Sequence, residues 1–173
     1  SIDLISGWNW ISINVLPADP SIGNILSDLG AAALFIKSQA SGAATNYYDY
    51  GMWAGALSEF SPGEMYLLKM DAPATLVVTG MPVDVADTPI ALIEGWNWLG
   101  YLPQNSGDVG TALASLGSDA LFINSQSAGS STNYPQYGMW AGGLASLEPG
   151  SGYLLKMSAD GTLVYPDFAG SAR

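Results

Sequence analysis

Residues 50–55, Tyr-Gly-Met-Trp-Ala-Gly, occur a second time, letter for letter, at residues 137–142. Around this hexapeptide, an ungapped alignment of residues 31–79 with residues 118–166 gives 28 identities in 49 positions. The chain is therefore an internal duplication. Repeated units of this size usually cover their apolar faces by packing against a neighbour.

The same duplication extends to both ends of each copy. Gly-Trp-Asn-Trp stands at residues 7–10 and again at 95–98, and Tyr-Leu-Leu-Lys-Met stands at 66–70 and again at 153–157. We assign repeat 1 to residues 1–88 and repeat 2 to residues 89–173. The connector, residues 81–89, is short and contains no glycine, which favours one pseudo-twofold unit over two separate domains.

Each repeat predicts a mainly β structure with one short helix. Strands are expected over residues 3–15, 32–38, 65–70 and 74–79, with extended chain over 45–54, because apolar side chains alternate or form short runs there. A short helix is expected after Pro20-Ser21, closed by Gly30. Its apolar stripe would consist of Ile22, Ile25, Leu26 and Leu29.

Composition excludes several classes of function. The 173 residues include 4 basic and 15 acidic side chains, a net charge of −11, which disfavours contact with nucleic acids and with anionic membranes. The absence of His and Cys removes imidazole bases, thiol nucleophiles and the usual zinc ligands. No apolar run approaches the roughly 20 residues of a membrane-spanning helix. The first residue is Ser, and we expect the chain to be part of a larger multidomain protein.

The carboxylates are not shared by the two repeats. Asp49 aligns with Gln136, and Glu64 aligns with Ser151. Glycosidases need a fixed pair of carboxylates and calcium sites need several, so a duplicated catalytic or metal centre is not expected. We predict no catalytic residue, no metal and no cofactor. A hydrolase that uses an unduplicated carboxylate such as Asp49 or Glu64 is the remaining enzymatic alternative.

Aromatic rings, amides and one lysine are retained in both repeats, and this combination suits a glycan. Sugar rings present C–H faces that stack on indole or phenol, while their hydroxyls bond to amides and ammonium groups. We predict one site per repeat, with Trp53 or Trp140 as the platform. The other predicted ligand-binding residues are Tyr47, Tyr134, Lys69, Lys156, Gln39, Gln126, Asn46 and Asn133.

Folding alone gives a competing explanation for these residues. Trp8 and Trp10 share one face of a strand and are expected in the core, as is Tyr66 with its counterpart in repeat 2. Lys69 could serve in an ion pair or on a solvated edge strand. The retained Gln and Asn residues could close loops, and Trp53 could be exposed or packed.

The Gly-Trp-Asn-Trp motif with Ile11-Ser12, followed by Pro62-Gly63 and Tyr-Leu-Leu-Lys at 66–69, resembles repeats of large exported bacterial proteins. These include surface adhesins and polysaccharide-degrading enzymes that carry noncatalytic binding modules. The resemblance implies an extracellular or cell-surface β-rich module that binds carbohydrate and is not an enzyme. Repeat 2 departs from it at Leu99-Gly100 and at Pro135, which replaces Tyr48, so its binding competence can differ.

Two hypotheses follow from this combination. The first is a carbohydrate-binding module for a neutral polysaccharide or oligosaccharide, because the net charge repels anionic glycans. The second is a structural or adhesive spacer whose repeats serve folding alone. The first predicts that the retained aromatic residues are exposed, and the second predicts that they are buried.

Overall fold

The computed structural model describes residues 1–168, and the protein is mainly β, as the sequence predicts. Repeat 1 contains a sheet of five antiparallel strands: β1 (Gly7–Ile11), β2 (Ala33–Ser38), β3 (Ala43–Tyr47), β4 (Met52–Gly55) and β5 (Tyr66–Met70). Their order across the sheet is β1-β5-β2-β3-β4. β1 and β4 are the edge strands.

Repeat 2 contains a second sheet with the same topology. Its strands are β6 (Gly95–Gly100), β7 (Ala120–Ser125), β8 (Ser130–Tyr134), β9 (Met139–Gly142) and β10 (Gly152–Met157), in the order β6-β10-β7-β8-β9. The predicted mainly β fold with two homologous repeats is confirmed.

Four small antiparallel pairs complete the strands. They are Ile2–Leu4 with Ala74–Leu76, Ile90–Leu92 with Gly161–Leu163, Val15–Leu16 with Met81–Pro82, and Gly107–Asp108 with Ser146–Leu147. The single strand predicted over residues 3–15 is therefore wrong in its extent. Gly7 has a φ of 89°, a left-handed conformation that redirects the chain before β1.

One face of each sheet is covered by the predicted helix together with the turns, loops and small strands that share its core. α1 (Ile22–Ile25) begins at Ser21, whose hydroxyl accepts a hydrogen bond from the backbone N–H of Asn24, and 3₁₀ turns follow within Ser27–Ala32. α2 (Val109–Ala112) occupies the same place in repeat 2. The predicted apolar stripe of repeat 1 is confirmed, since all four of its members are buried: Ile22, Ile25, Leu26 and Leu29.

Each repeat has its own hydrophobic core. Asn9 and Ile11 of β1 and Tyr66 and Leu68 of β5 point toward the helical layer and are buried. Tyr66 and its counterpart Tyr153 are 0% and 2% exposed, so their predicted core position is confirmed. Val83 and Val85 of the connector belong to the core of repeat 2, although they lie in the range assigned to repeat 1.

The two repeats are joined by reciprocal hydrogen bonds between backbone groups. The backbone N–H of Ser12 donates to the carbonyl of Gly150 (3.0 Å). The backbone N–H of Gly100 donates to the carbonyl of Gly63 (2.9 Å) at the equivalent position. Ile2 packs beside Gly150, and Ile90 packs beside Gly63. This matched set of contacts makes the repeats one pseudo-twofold unit, as the short connector predicts.

Within residues 1–168, no helix has the length and apolar character needed to cross a membrane.

Candidate functional site

Each sheet has one face that the helical layer leaves uncovered, which we call the outward face. On the sheet of repeat 1, a row of paired residues crosses this face in the order Trp8, Lys69, Phe35, Thr45, Ala54. The same row crosses the sheet of repeat 2 as Trp96, Lys156, Phe122, Thr132, Ala141. The five residue types are identical in the two repeats.

The tryptophans of this row are open to solvent. Trp8 is 40% exposed and Trp96 is 45% exposed. The expectation that Trp8 packs in the core is therefore wrong, and Trp10 is only half-buried. Side chains alternate between the two faces of β1 as predicted. The helical layer covers the face of Asn9 and Ile11, and the face of the tryptophans remains exposed to solvent.

Ring contacts hold each exposed indole in place. The Trp8 ring meets Phe35 edge-on, with centroids 6.1 Å apart, and Trp96 meets Phe122 in the same way at 6.0 Å. The Lys69 ammonium lies 5.8 Å from the Trp8 ring centroid. Lys156 lies at the same distance from Trp96. These are cation–π contacts, and they place an ammonium donor beside each exposed ring.

Two tyrosines extend the outward face. Tyr47 follows Thr45 by two residues on β3, so its side chain points to the same side of the sheet. It is 49% exposed, and Tyr134 in repeat 2 is 40% exposed. Four of the ten predicted site residues therefore lie on the outward faces: Tyr47, Tyr134, Lys69 and Lys156.

Charge is distributed unevenly between the sheets and the rest of the molecule. None of the 15 acidic residues lies in the strands β1 to β10, whereas Lys37, Lys69 and Lys156 all do. The chain's other basic residue, Arg173, lies outside the described residues. The outward faces therefore combine aromatic surface with ammonium groups and lack strand carboxylates, although the protein as a whole is strongly acidic.

The two outward faces carry different numbers of lysines. In repeat 1 the Lys37 ammonium lies 5.5 Å from the Trp8 ring and 5.7 Å from the Trp98 ring of the other repeat. Repeat 2 has Asn124 in place of Lys37. The outward face of repeat 1 therefore carries two lysines, and that of repeat 2 carries one.

The predicted platforms, Trp53 and Trp140, lie on the opposite face of the sheets. Trp53 pairs with Asn46, and Trp140 pairs with Asn133. Each pair is adjacent along the strands to a pair of the outward row, so its side chains point to the other face of the sheet. Both indoles are half-buried against their repeat's core. The sheet thus separates the predicted platforms from the predicted lysines, and one ligand cannot contact both groups through the sheet.

The predicted amide site residues form hydrogen bonds with the protein's own backbone. Asn46 donates from its side-chain nitrogen to the carbonyls of Gly30 (3.0 Å) and Ala33 (2.7 Å). Asn133 makes the two equivalent bonds in repeat 2. Gln39 donates to the carbonyl of Trp96 (2.8 Å) and accepts from the N–H of Trp98 (2.7 Å), and Gln126 bonds in the same way to Trp8 and Trp10.

Repeat 2 also contains a groove of about 830 Å³ between α2 and the β8–β9 turn. Trp140 and Asn133 line it, together with Asp108 and Pro135. In repeat 1 a depression of about 300 Å³ lies near Asn46 and is lined by Tyr48 itself. The groove is within the size range of small-molecule sites.

Sequence reasoning missed Trp8 and Trp96 as candidate site residues. Both tryptophans are retained in the two repeats, but the pairing of each with a retained lysine on the neighbouring strand emerges only in the structure. Which face is exposed depends on where the helix packs, and strand alternation alone does not determine this.

Residues 1–168 contain no cluster of potential metal ligands. No group of three or more acidic residues in this part of the chain is placed to hold a metal ion. Comparisons with protein-family models, curated proteins and solved structures find no match to this chain.

Proposed function

We propose that this protein is a noncatalytic carbohydrate-binding module with one site on the outward face of each repeat. The observation that carries the proposal is the matched exposure of Trp8 and Trp96, each beside a lysine and an edge-on phenylalanine. These exposed tryptophans, at equivalent positions of the two repeats, do not belong to either hydrophobic core. They offer flat apolar surface to a ligand.

The chemistry of the outward face suits a sugar chain. The indole of Trp8 offers a surface on which the C–H face of a pyranose stacks. The Lys69 ammonium beside it donates hydrogen bonds to ring hydroxyls, and the Tyr47 hydroxyl both donates and accepts. This assignment places the platform at Trp8 and Trp96 and keeps Lys69, Lys156, Tyr47 and Tyr134 in the site.

Charge favours a neutral glycan as the ligand. The net charge of −11 disfavours the approach of a polyanion, and the lysine ammonium groups donate hydrogen bonds to uncharged hydroxyls as well as to anions. Two sites on one unit raise the avidity for a polymer that reaches both, because binding at one site increases the effective concentration at the other.

A structural spacer is the second candidate, and a specific observation favours it. The four amide side chains predicted to bind ligand all bond to the protein's own backbone: Gln39, Gln126, Asn46 and Asn133. Folding therefore accounts for their presence in both repeats without any ligand.

Retention on insoluble neutral polysaccharides separates the two candidates. We expect the double variant Trp8→Ala/Trp96→Ala to bind at least about tenfold more weakly than the parent protein, a loss of about 1.4 kcal/mol. The matched control is Ile5→Ala/Ile93→Ala, which removes two side chains that are each 59% exposed and lie outside the sheets. Equal retention of both variants, or no retention of the parent on any polymer tested, would leave the spacer as the better description.

A further inference from the structure

We propose that repeat 2 has a second binding site that repeat 1 lacks: the groove beside Trp140, which takes one neutral sugar ring. The inference rests on the proposed carbohydrate function but concerns a different surface. The groove lies on the helix side of the sheet, whereas Trp96 and Lys156 lie on the outward face.

One replacement removes an aromatic ring from the lining of the groove. In repeat 1 the ring of Tyr48 lies over Gly30, with its Cε2 atom 3.6 Å from the position that a Cβ on Gly30 would take. Repeat 2 has Pro135 in place of Tyr48, and a Cβ on Gly117, the counterpart of Gly30, would meet no atom within 4 Å. The space that a six-membered ring occupies in repeat 1 is open in repeat 2.

The backbone that carries this replacement is otherwise the same in the two repeats. Tyr48–Tyr50 and Pro135–Tyr137 are both 3₁₀ turns, and each ends at a left-handed glycine, with φ of 65° at Gly51 and 61° at Gly138. The open space over Gly117 therefore results from the loss of a side chain and not from a rearranged turn. The missing side chain indicates the size and shape of the group that fits.

The polar lining of the groove indicates a ligand with hydroxyl donors. Asn133 uses its side-chain nitrogen for two backbone bonds, so its side-chain oxygen is the polar atom left to accept from a ligand. The Asp108 carboxylate accepts from the N–H and hydroxyl of Thr111 (2.9 and 3.1 Å) and contributes further acceptor capacity. Ser118 adds a hydroxyl to the lining.

The same lining selects against charged acids. The Asp108 carboxylate within the groove and the net charge of −11 both repel a uronate or a sulfated ring. Trp140 supplies apolar surface for the C–H face of a ring. Taken together, the shape, the acceptors and the charge fit one uncharged pyranose at the end of a chain or as a side branch.

The test uses soluble sugars, since a single-ring site should bind them without a polymer. Glucose, galactose, mannose, N-acetylglucosamine and their disaccharides are titrated onto the full chain by ligand-observed NMR. The variant Pro135→Tyr rebuilds the side chain of repeat 1 and should weaken binding of the recognised sugar at least about tenfold. The control Pro135→Ala leaves the groove open and should bind like the parent.

The reciprocal variant tests for a gain of binding. Tyr48→Pro removes the ring from repeat 1 and places there the residue that starts the equivalent 3₁₀ turn in repeat 2. It should raise the number of groove sites per chain from one to two, in addition to the outward-face sites. Unchanged binding in Pro135→Tyr, or the absence of any sugar binding by the parent, would overturn the groove assignment.

Further outcomes separate this proposal from the outward-face proposal. If Trp8→Ala/Trp96→Ala loses polymer retention while Pro135→Tyr leaves sugar binding unchanged, the outward-face site stands and the groove site fails. If Pro135→Tyr abolishes sugar binding while the tryptophan double variant retains polymer, the reverse holds. Binding of N-acetyltyrosinamide, but of no sugar, in a Pro135-dependent manner would show that the groove accepts an aromatic side chain, which also overturns the assignment.

Discussion

The side-chain oxygen of Gln126 accepts a hydrogen bond from the backbone N–H of Trp10 across the boundary between the repeats, at 2.7 Å. Its nitrogen donates to the carbonyl of Trp8, and Gln39 makes the equivalent pair of bonds to β6. One amide thus satisfies a donor and an acceptor on an edge strand. Strand edges left open are prone to pair with other chains, so these glutamines stabilise the unit and protect it.

Removing one of these glutamines should loosen the boundary between the repeats. Gln126→Ala deletes two hydrogen bonds to backbone groups of β1, and we expect a loss of about 1–2 kcal/mol in the free energy of unfolding. Urea denaturation measures this loss. Gln136→Ala, a change of the same type on the exposed β8–β9 turn, should stay within about 0.5 kcal/mol of the parent. Equal effects of the two changes would contradict the proposed role of Gln126.

The hairpin between β8 and β9 should not tolerate a side chain at Gly142. This residue has a φ of 156°, and a Cβ there would overlap the carbonyl oxygen of Ser130 on the neighbouring strand. We expect Gly142→Ala to cost at least about 3 kcal/mol in the free energy of unfolding, because backbone atoms must move.

The control for this change lies in α1. A Cβ on Gly23 would have Trp53 as its nearest neighbour, at 4.0 Å, which is an ordinary contact. Gly23→Ala should therefore be neutral or stabilise the protein by up to about 1 kcal/mol, since alanine has the higher helix propensity. Thermal unfolding of both variants checks the prediction, and a stable Gly142→Ala protein would refute it.

The protein should lose stability in alkali through its buried tyrosines. Burial raises the pKa of each of four tyrosines above the ordinary value of 10: Tyr66, Tyr101, Tyr153 and Tyr165. The folded state therefore keeps protons that the unfolded state releases above pH 10. The stabilisation is complete below pH 10 and falls as the pH rises toward the raised pKa values.

Tyr165, which is fully buried, gives the sharpest check on this prediction. Its hydroxyl donates to the carbonyl of Gly100 (3.1 Å), and it should contribute about 1.4 kcal/mol per pH unit to the loss above pH 10. Urea midpoints measured at several pH values give the slope. Tyr165→Phe removes the titrating hydroxyl and should reduce the slope, so a variant with the parent's slope would contradict the assignment.

The two repeats should fold as one cooperative unit. Val83 and Val85 pack into the core of repeat 2, and Ile2 and Ile90 pack beside glycines of the opposite repeat. We expect fragments 1–80 and 81–173 to show no cooperative unfolding when separate and to form a 1:1 complex when coexpressed. Cooperative melting of either fragment as a monomer would show that one repeat is sufficient.

Local pattern was enough to predict much of the fold. The alternation in β1, the apolar stripe of α1 and the position of Tyr66 followed from side-chain periodicity, because strands and helices direct side chains at fixed angular intervals. The duplication followed from direct comparison of the two copies. The interruption of the first strand at Gly7 was not predicted. Glycine has no Cβ and adopts positive and negative φ about equally readily, so its presence does not indicate which conformation it takes.

The candidate site was predicted only in part, and the reason is geometric. The sequence singled out Lys69 and Trp53 together, yet the two lie on opposite faces of one sheet. Retention of a residue in both repeats indicates that it has a role, but it does not show whether that role is in ligand binding or in folding. Gln39 and Gln126 show this, because their partners lie 57 to 118 residues away in the chain.

The existence of two similar β units and the alternation of residues along their strands follow from the chain alone, because both are properties of short stretches of sequence. The folded chain was needed to show that the helical layer covers the face of Asn9 and leaves Trp8 in solvent, and that Pro135 leaves open the space that the ring of Tyr48 fills in repeat 1. The alternation of side chains along a strand assigns each residue to one of two faces, but it does not show which face is buried. Packing against distant segments decides which of the two meets water.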